Sequence, residues 1–421
     1  MRALDVGWRL ALRDVGPFRE ADIELGPLTV FIGPNGTGKS FLLRLLYSFS
    51  SAVPDFSELV KGSITQESVV KSLEAGIKES LKRIVGGNLL RKGRTEGEIL
   101  LSSEVADFEV EVGSDLHPWV RFKVKEALES LVSSYEGVMS KLPQKGDQVK
   151  VSQAVSTLMW LVALVRILWF IAEQGVPPPL LPFSVPDSTV FLVYNRAGLA
   201  DAFNSLGSYA KSFEVLGELE RSYAIAYSRL LDDFDQGNVD LGMIKGYFEE
   251  LGFSLELVEK EGVKLPYVRT WTGSLLPLSE APSGVRESLP VALALASKTF
   301  KVIYIEEPEA HLHPRAQRLI AKVISRAVNS GKFVIMSTHS DFLLSSLSNL
   351  IALHSHKERA VNLGVSESEA LSPDKVAVYL TKRGNGYAEV ERVKVDEDGI
   401  DEKEFVRVAE ELVDERGEIL G

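Results

Sequence analysis

The segment that most constrains this chain is a glycine-rich run, GPNGTGKS, at positions 33–40. It fits the pattern G-x-x-x-x-G-K-[ST], in which backbone N–H groups of a loop surround phosphate oxygens. The residues before it, LTVFI at 28–32, are apolar and typical of a buried strand, and FLLRLL at 41–46 begins a helical pattern. The pattern requires this order of strand, glycine loop and helix. It predicts a site for a nucleoside triphosphate.

The chemistry of the loop assigns an expected role to each part of it. Glycines let the backbone approach the β-phosphate, which the N-terminus of the following helix also attracts. Lys39 is expected to reach the β- and γ-phosphates, and Ser40 is expected to ligate Mg²⁺. The predicted nucleotide-binding residues of the loop are Asn35, Gly36, Thr37, Gly38, Lys39 and Ser40.

Composition narrows the class of protein further. With 421 residues, 45% of them apolar and 25% charged, the chain is long enough for one large or two modest cores. The net charge of −12 disfavours a polyanionic partner unless a local basic patch binds it. The absence of cysteine excludes disulfides, thiolate zinc sites and cysteine nucleophiles. The first residues contain no apolar leader segment, so we expect a cytoplasmic protein.

One apolar segment, residues 155–172, is nearly long enough to cross a bilayer. It contains Arg166, and an arginine at the centre of a membrane helix is costly. We therefore expect no stable membrane insertion, and we interpret the segment as a helix that is buried or faces a partner.

A second chemical centre follows the apolar stretch VIYI at 302–305, which ends in Glu306 and Glu307. Two adjacent carboxylates at the end of a buried strand are unfavourable unless a cation or a reacting water compensates them. In a chain with a phosphate loop, we expect Glu306 to hold Mg²⁺ through its water shell. We expect Glu307 to polarise the water that attacks the γ-phosphate.

Two further segments complete the set of candidates. The apolar stretch KFVIM at 332–336 ends in STHS, which places His339 at the carboxyl end of a parallel strand, where a hydrogen bond to the γ-phosphate is expected. Ser283 and Gly284 precede a helical apolar run and could either cap that helix or form an anion site at its N-terminus.

Glycine loop, Ser-Gly helix start, strand ending in EEPEAHLHP and strand ending in STHS, in that order, resemble the ABC-type ATPase head. The wording is similar to the soluble branch that contains RecF, the SMC chromosome-maintenance proteins and OLD-like ATPases without a TOPRIM nuclease domain. The resemblance covers residues 10–50 and 189–353. It implies a homodimer in which Lys39 and Ser40 of one subunit hold ATP while Ser283 and Gly284 of the other close over the γ-phosphate.

The same resemblance suggests two arginines as nucleotide contacts. Arg13 matches a basic position on the first strand, and Arg196 stands near the place of the glutamine found in transporters, as a phosphate or relay contact. Glu306 replaces the more common aspartate, a departure typical of OLD-like members. The Ser-Gly signature is shorter than in transporters.

The expected fold is α/β: a P-loop NTPase with an ABC-ATPase-like head, an antiparallel N-terminal lobe, a parallel core sheet and a mostly helical insertion. We expect residues 1–50 and 189–370 to form the ATPase core and 51–188 to form the insertion. Residues 371–421 are expected to form a β-hairpin and a helix packed on the core.

The function predicted is Mg²⁺-dependent ATP hydrolysis that drives dimerisation, in DNA maintenance or defence, with DNA or a neighbouring effector protein as a partner. The alternative is a regulatory ATP-binding subunit with little turnover. A transporter ATPase would carry a fuller signature. A GTPase would carry [NT]-K-x-D, to which the nearest string is TKRG at 381–384. A nuclease would rest on Asp396, Glu397 and Asp398, which more simply form a charged turn.

Overall fold

The computed structural model describes residues 7–53, 55, 66–86, 89–103, 106–113, 118–124, 188–194, 196, 198–199, 217–260, 262–356, 359, 365–401 and 403–420. The apolar segment at 155–172, and with it most of the expected insertion, lies outside these ranges. Within them, no helix is both long and apolar enough to cross a membrane.

The described strands follow one another along the chain in this order: β1 (Trp8–Val15), β2 (Phe18–Leu25), β3 (Leu28–Ile32), β4 (Glu96–Ser102), β5 (Ala106–Gly113), β6 (Trp119–Val124), β7 (Thr189–Leu192), β8 (Phe253–Lys260), β9 (Val263–Thr270), β10 (Leu275–Pro277), β11 (Val302–Glu306), β12 (Phe333–Ser337), β13 (Val376–Arg383), β14 (Ala388–Val393), β15 (Val395–Asp396) and β16 (Gly399–Ile400).

The described α-helices are α1 (Lys39–Ser50), α2 (Gln66–Ile84), α3 (Glu218–Asp235), α4 (Leu241–Leu251), α5 (Ser283–Ala296), α6 (Pro314–Asn329), α7 (Asp341–Ser355) and α8 (Lys403–Leu420).

A mixed sheet of eleven strands organises the described residues, in the order β6-β5-β4-β1-β2-β14-β13-β3-β12-β11-β7. Strands β13, β3, β12, β11 and β7 run parallel to one another and form the core half. Strands β6, β5, β4, β1 and β2 are antiparallel and form the other half. This confirms the predicted α/β class, with an antiparallel N-terminal lobe and a parallel core sheet.

The burial of each strand follows from its place in the sheet. Every residue of β3, β11 and β12 is buried, because helices cover both faces of a parallel sheet. Strand β2 alternates between buried and exposed positions, as expected for an antiparallel strand with one wet face.

Helix α1 is held against the core sheet by an aromatic cluster. The ring of Tyr47 lies 5.1 Å from that of Phe191 on β7 and 5.5 Å from that of Tyr304 on β11. One turn further along α1, the Ser50 hydroxyl lies 2.6 Å from the Tyr304 hydroxyl. These contacts anchor the C-terminal half of α1, and thereby fix the direction in which its N-terminus points.

Two parts of the expected domain layout differ from the structure. Within residues 51–188, the described part contains α2 but also β4, β5 and β6, which extend the sheet beyond β1. Strand β4 shows why, since its residues alternate strictly between exposed and buried positions and pair with β1 over five residues.

The C-terminal segment also differs from a hairpin and helix packed on the core. The predicted hairpin is present as β13 and β14, but β13 lies inside the sheet and pairs in parallel with β3 over five residues. The side chains from Glu410 to Leu420 of α8 are all exposed. This part of α8 is rich in acidic residues, which favour water over a core.

Candidate nucleotide-binding site

The parallel half of the sheet brings the predicted site residues to one edge. Strands β3, β12, β11 and β7 are neighbours in that order and end together, with Phe31 opposite Ser337 and Ser337 opposite Glu306. The segments that leave these strands are the glycine loop, the His339 loop, the Glu307 loop and Tyr194. In open α/β sheets, ligands bind at this carboxyl edge.

The glycine loop folds as its sequence requires. Gly33 has a φ of 127°, and a Cβ atom built on it would lie 2.2 Å from the carbonyl oxygen of Thr381 on β13. Gly38 caps α1 in the left-handed region, with a φ of 96°, and packs against Pro17 and Phe18 of the β1–β2 hairpin. A side chain is therefore excluded at both positions.

Lys39 is buried although it begins helix α1, with 5% of its surface exposed. Its ammonium donates hydrogen bonds of 2.8 Å to the carbonyl oxygens of Gly33 and Pro34. Burial lowers the pKa of Lys39 to about 8, and the carboxylates of Glu307 and Glu309 act in the opposite direction. The ammonium thus lies across the loop, next to the acidic side of the site.

The remaining loop residues lie where a phosphate-binding role needs them. Asn35, Gly36 and Ser40 are exposed, and Ser40 occupies the first turn of α1. Thr37 is buried and its hydroxyl donates to the carbonyl oxygen of Pro34 at 2.7 Å, so it shapes the loop from inside.

Glu306 is the last residue of β11 and only 4% exposed. Its Oε2 accepts a hydrogen bond of 3.1 Å from the backbone N–H of Tyr194, whereas its Oε1 is buried without a hydrogen-bond donor. The guanidinium Nε of Arg44 lies 3.9 Å from that Oε1. Because Arg44 and Ser40 are one turn apart on α1, the Ser40 hydroxyl lies on the helix face that meets Glu306. This pair of oxygen ligands fits a divalent cation such as Mg²⁺.

Glu307 adopts a positive φ of 47°, which is rare for a residue with a side chain. Its backbone N–H donates to the carbonyl oxygen of Ser337, and its Oε1 lies 3.9 Å from Nε2 of His339. Burial, and then the negative charges of Glu309 and Glu306, raise the pKa of Glu307. Burial and the charge of Lys39 lower the pKa of His339. The structure thus brings Glu307, His339 and Lys39 into one electrostatic cluster.

Glu309 is a member of this cluster that the sequence analysis did not single out. It is buried, and its Oε1 accepts hydrogen bonds of 2.8 Å from the Thr338 hydroxyl and from the backbone N–H of His339. Its Oε2 has no hydrogen-bond partner, and burial raises the pKa of the carboxyl. The acidic residue after Pro308 was visible in the sequence, but only the fold shows that it holds the His339 loop.

Arg196 does not lie where a phosphate contact was expected. Its side chain is fully buried, and its guanidinium donates to the carbonyl oxygens of Glu287, Val193, Glu306 and Glu307 over 2.7–3.0 Å. Its Nε lies 3.4 Å from the Glu287 carboxylate. With its donors directed at backbone oxygens, Arg196 supports the Glu306–Glu307 segment from behind. This geometry fits the relay role and contradicts the phosphate contact.

The other predicted contacts lie on different elements. Ser283 is exposed at the start of α5, and a Cβ on Gly284 would lie 2.9 Å from the carbonyl oxygen of His311. Arg13 is exposed on β1, with Nη1 3.9 Å from Oε2 of Glu98 on β4. Each of these contacts is with an element other than the glycine loop of the same chain.

The acidic run at 396–398 forms the turn between β15 and β16. Asp396 Oδ2 lies 2.5 Å from the Lys394 ammonium, and Asp396 Oδ1 accepts a hydrogen bond of 3.0 Å from the backbone N–H of Asp398. The described residues contain no group of three or more His, Cys, Asp or Glu side chains arranged to hold a metal ion.

Comparison with known families bears on the chemical centres described above. A family model described as an AAA ATPase domain matches residues 212–344, a segment that contains Ser283, Glu306, Glu307 and His339. The pairing of β3 with β12 joins this segment to the phosphate loop. The chain contains a P-loop ATPase domain of the ABC type. The order of motifs in this ATPase domain is that of the soluble RecF and SMC branch.

Individual relatives are more distant. The energy-coupling factor transporter ATP-binding protein EcfA of Carboxydothermus hydrogenoformans is 32% identical over 100 residues, which are 22% of this chain and 37% of that protein. The chain therefore spans little more than a third of this relative. The SMC head domain from Thermotoga maritima is 12% identical with a TM-score of 0.43, and the match covers 92% of this chain and 98% of that one. An SMC head bound to the C-terminal winged-helix domain of ScpA is 11% identical with a TM-score of 0.45, over 92% and 98%.

Proposed function

We propose that this ATPase domain binds ATP with Mg²⁺ and hydrolyses it to ADP and phosphate. The observation that carries the proposal is the convergence of Lys39, Glu306, Glu307 and His339 at one edge of the sheet, where Glu307 Oε1 lies 3.9 Å from His339 Nε2. Transfer of a phosphoryl group needs positioning and charge stabilisation more than covalent chemistry, and this edge offers both.

Lys39 and the loop backbone would bind the phosphates. The ammonium now donates to carbonyl oxygens of the loop itself, and it would exchange them for β- and γ-phosphate oxygens without leaving the loop. Ser40 and Glu306 would hold Mg²⁺, whose charge offsets that of the β- and γ-phosphate oxygens. The buried Oε1 of Glu306, which lacks a hydrogen-bond donor, supports this assignment.

Glu307 would act as the base. A raised pKa brings a carboxylate closer to the range in which it accepts a proton from water efficiently. The water oxygen then bonds to the γ-phosphorus, the bond from that phosphorus to the bridging oxygen breaks, and ADP leaves. His339, whose lowered pKa keeps it neutral at neutral pH, would donate a hydrogen bond to the γ-phosphate.

Two copies of the chain would complete the site. Ser283 and Gly284 lie at the N-terminus of α5, on an element other than the glycine loop of their own chain, and Ser283 is exposed. A helix N-terminus attracts anions, so the α5 N-terminus of a second copy would contact the γ-phosphate and close an ATP-bound dimer. Hydrolysis would remove the group that joins the two subunits.

The test is a single substitution, Glu307→Gln, in the full chain. We expect ATP binding to persist while turnover falls by about a hundredfold or more, since a positioned base contributes about that much. Sizing with light scattering should then show a dimer in ATP and a monomer without it. The exposed Glu397→Gln serves as the matched control and should hydrolyse ATP normally. Adding Ser283→Arg to Glu307→Gln should abolish the dimer and leave ATP bound. A Glu307→Gln variant that hydrolyses ATP at the wild-type rate would contradict the assignment.

For the biological role, we propose DNA maintenance or defence in the cytoplasm, on the basis of the motif order shared with the RecF and SMC branch. ATPase rates measured with and without linear DNA carrying free ends test this directly. Stimulation by DNA supports the proposal. Turnover that is negligible and insensitive to DNA favours instead the regulatory ATP-binding subunit.

A further inference from the structure

Strand β13 lies beside the phosphate loop, although about 340 residues of sequence separate the two. It pairs in parallel with β3 from Val376 opposite Leu28 to Leu380 opposite Ile32. The next residue, Thr381, therefore lies beside Gly33, and its carbonyl oxygen occupies the space that a side chain on Gly33 would need. Strand β13 thus forms a wall against which the start of the loop is packed.

Thr381 is fully buried, and its hydroxyl reaches into the loop. Its Oγ1 lies 2.6 Å from Oγ1 of Thr37 and 3.1 Å from the carbonyl oxygen of Ile32, and the Thr37 hydroxyl lies 2.7 Å from the carbonyl oxygen of Pro34. Two hydroxyl protons serve these three contacts. The two shorter distances are both satisfied when Thr381 donates to Thr37 and Thr37 donates to Pro34, an arrangement in which each bond strengthens the other.

A second residue of the same hairpin holds the next carbonyl group. Nη2 of Arg383 donates a hydrogen bond of 3.0 Å to the carbonyl oxygen of Asn35. In a planar trans peptide the C=O and N–H groups point in opposite directions. Holding the carbonyl groups of Pro34 and Asn35 towards β13 therefore directs the N–H groups of Asn35 and Gly36 away from it. Those N–H groups are the donors that a phosphate loop presents to its ligand.

We propose that Thr381, assisted by Arg383, is a positioning residue for nucleotide binding: it sets the orientation of the phosphate-binding N–H groups through Thr37 and Pro34. The inference rests on the proposed function, because it assumes that the loop binds ATP. It assigns the C-terminal hairpin to the nucleotide site, whereas the sequence offered only a hairpin of unknown location.

The test measures the Kd for Mg²⁺-ATP by titration calorimetry, and the melting temperature without nucleotide, in the full chain. Thr381→Val keeps the shape and removes the hydroxyl, and we expect the Kd to rise about tenfold, which corresponds to about 1.4 kcal/mol. Thr381→Ser keeps the hydroxyl and should stay within about twofold of the wild type. The KM should rise with the Kd while kcat stays nearly unchanged, because binding to the loop is shared by ground state and transition state.

Thr29→Val is the matched control. Thr29 is also fully buried, lies on β3, and donates through its hydroxyl to the carbonyl oxygen of Gly26, at the end of the strand away from the loop. It should lower the melting temperature without changing the Kd. If Thr381→Val binds ATP like the wild type, or if Thr29→Val weakens binding equally, the inference is overturned.

Two more variants separate the remaining outcomes. Arg383→Gln changes an exposed side chain, so it remains testable if Thr381→Val fails to fold; a Kd about threefold higher supports the inference and an unchanged Kd overturns it. Lys39→Ala tests the proposed function itself. If Lys39→Ala binds ATP normally, the proposed nucleotide site is wrong. If Lys39→Ala loses binding while the hairpin variants keep it, only the positioning role fails.

Discussion

The buried position of Lys39 makes ATP binding sensitive to pH in a range where the nucleotide itself no longer titrates. Burial lowers the pKa of Lys39 to about 8 in the free protein, while Glu307 and Glu309 limit the shift. Contact with the phosphates of ATP restores the charged form, because opposite charges favour ionisation. Binding therefore takes up a proton whenever the free ammonium is partly neutral.

The sign and size follow from linkage. A lowered pKa means that the free protein loses the proton first, so binding is strongest below the pKa and weakens as the pH rises through it. With a free pKa of about 8, the apparent Kd scales with one plus ten raised to the difference between the pH and 8. Between about pH 7.5 and about pH 9, this factor rises about eightfold. At a pH equal to the pKa, about half a proton is taken up per ATP bound.

Titration calorimetry measures both quantities. The Kd is determined across this pH range, and the proton uptake is obtained by repeating the titration in two buffers that differ in ionisation enthalpy. The control is Lys39→Arg, whose guanidinium stays charged throughout and should show a Kd that is nearly independent of pH. A wild-type Kd that stays flat from about pH 7.5 to about pH 9, together with no proton uptake, would refute the reasoning.

Two further predictions concern residues that shape the site. Gly33→Ala should lower the free energy of unfolding by about 3 kcal/mol or more, because its Cβ would lie 2.2 Å from the Thr381 carbonyl oxygen at a positive φ. Gly36→Ala, with a φ of 75° and no atom within 4 Å of the added Cβ, should cost about 1 kcal/mol; equal losses in urea unfolding would argue against β13 as a wall. Arg196→Lys should lower the free energy of unfolding by about 3 kcal/mol, because one ammonium cannot span four carbonyl oxygens, and should lower kcat more than it weakens ATP binding. An Arg196→Lys variant with wild-type kcat would show that support of the Glu306–Glu307 segment has no part in turnover.

Local patterns were enough to predict the strand before the glycine loop, the strand before Glu306 and the strand before His339. Each is a short apolar run that ends in polar residues, and the parallel sheet buries all three. The alignment of their carboxyl ends followed from fold class alone. This is why Glu307 and His339, which are 32 positions apart in the sequence, could be assigned to one site before any coordinates were considered.

What the sequence did not reveal depends on contacts between distant segments. The pairing of β13 with β3 joins residues about 350 positions apart, and no local pattern encodes a parallel register of that kind. The guanidinium of Arg196 was judged by its position next to a strand end, but the carbonyl oxygens that it contacts come from three separate segments. Glu309 was adjacent to residues already chosen, yet its hydrogen bonds to Thr338 and His339 exist only because β11 and β12 are neighbours.

The charge balance of the described edge bears on whether one chain is a complete site. Glu307 and Glu309 both act on the Lys39 ammonium, and Glu306 lies 3.9 Å from the Arg44 guanidinium, so three carboxylates face two cations. A nucleoside triphosphate adds several further negative charges, and their repulsion from the carboxylates must be offset. The helix N-terminus of α1 supplies part of this, and a bound divalent cation supplies more. The exposed start of α5 points to the remaining source, since a second copy would bring another helix N-terminus to the γ-phosphate. An excess of carboxylate that is tolerable only with ATP, metal and partner together favours a dimer that forms with ATP and separates after hydrolysis.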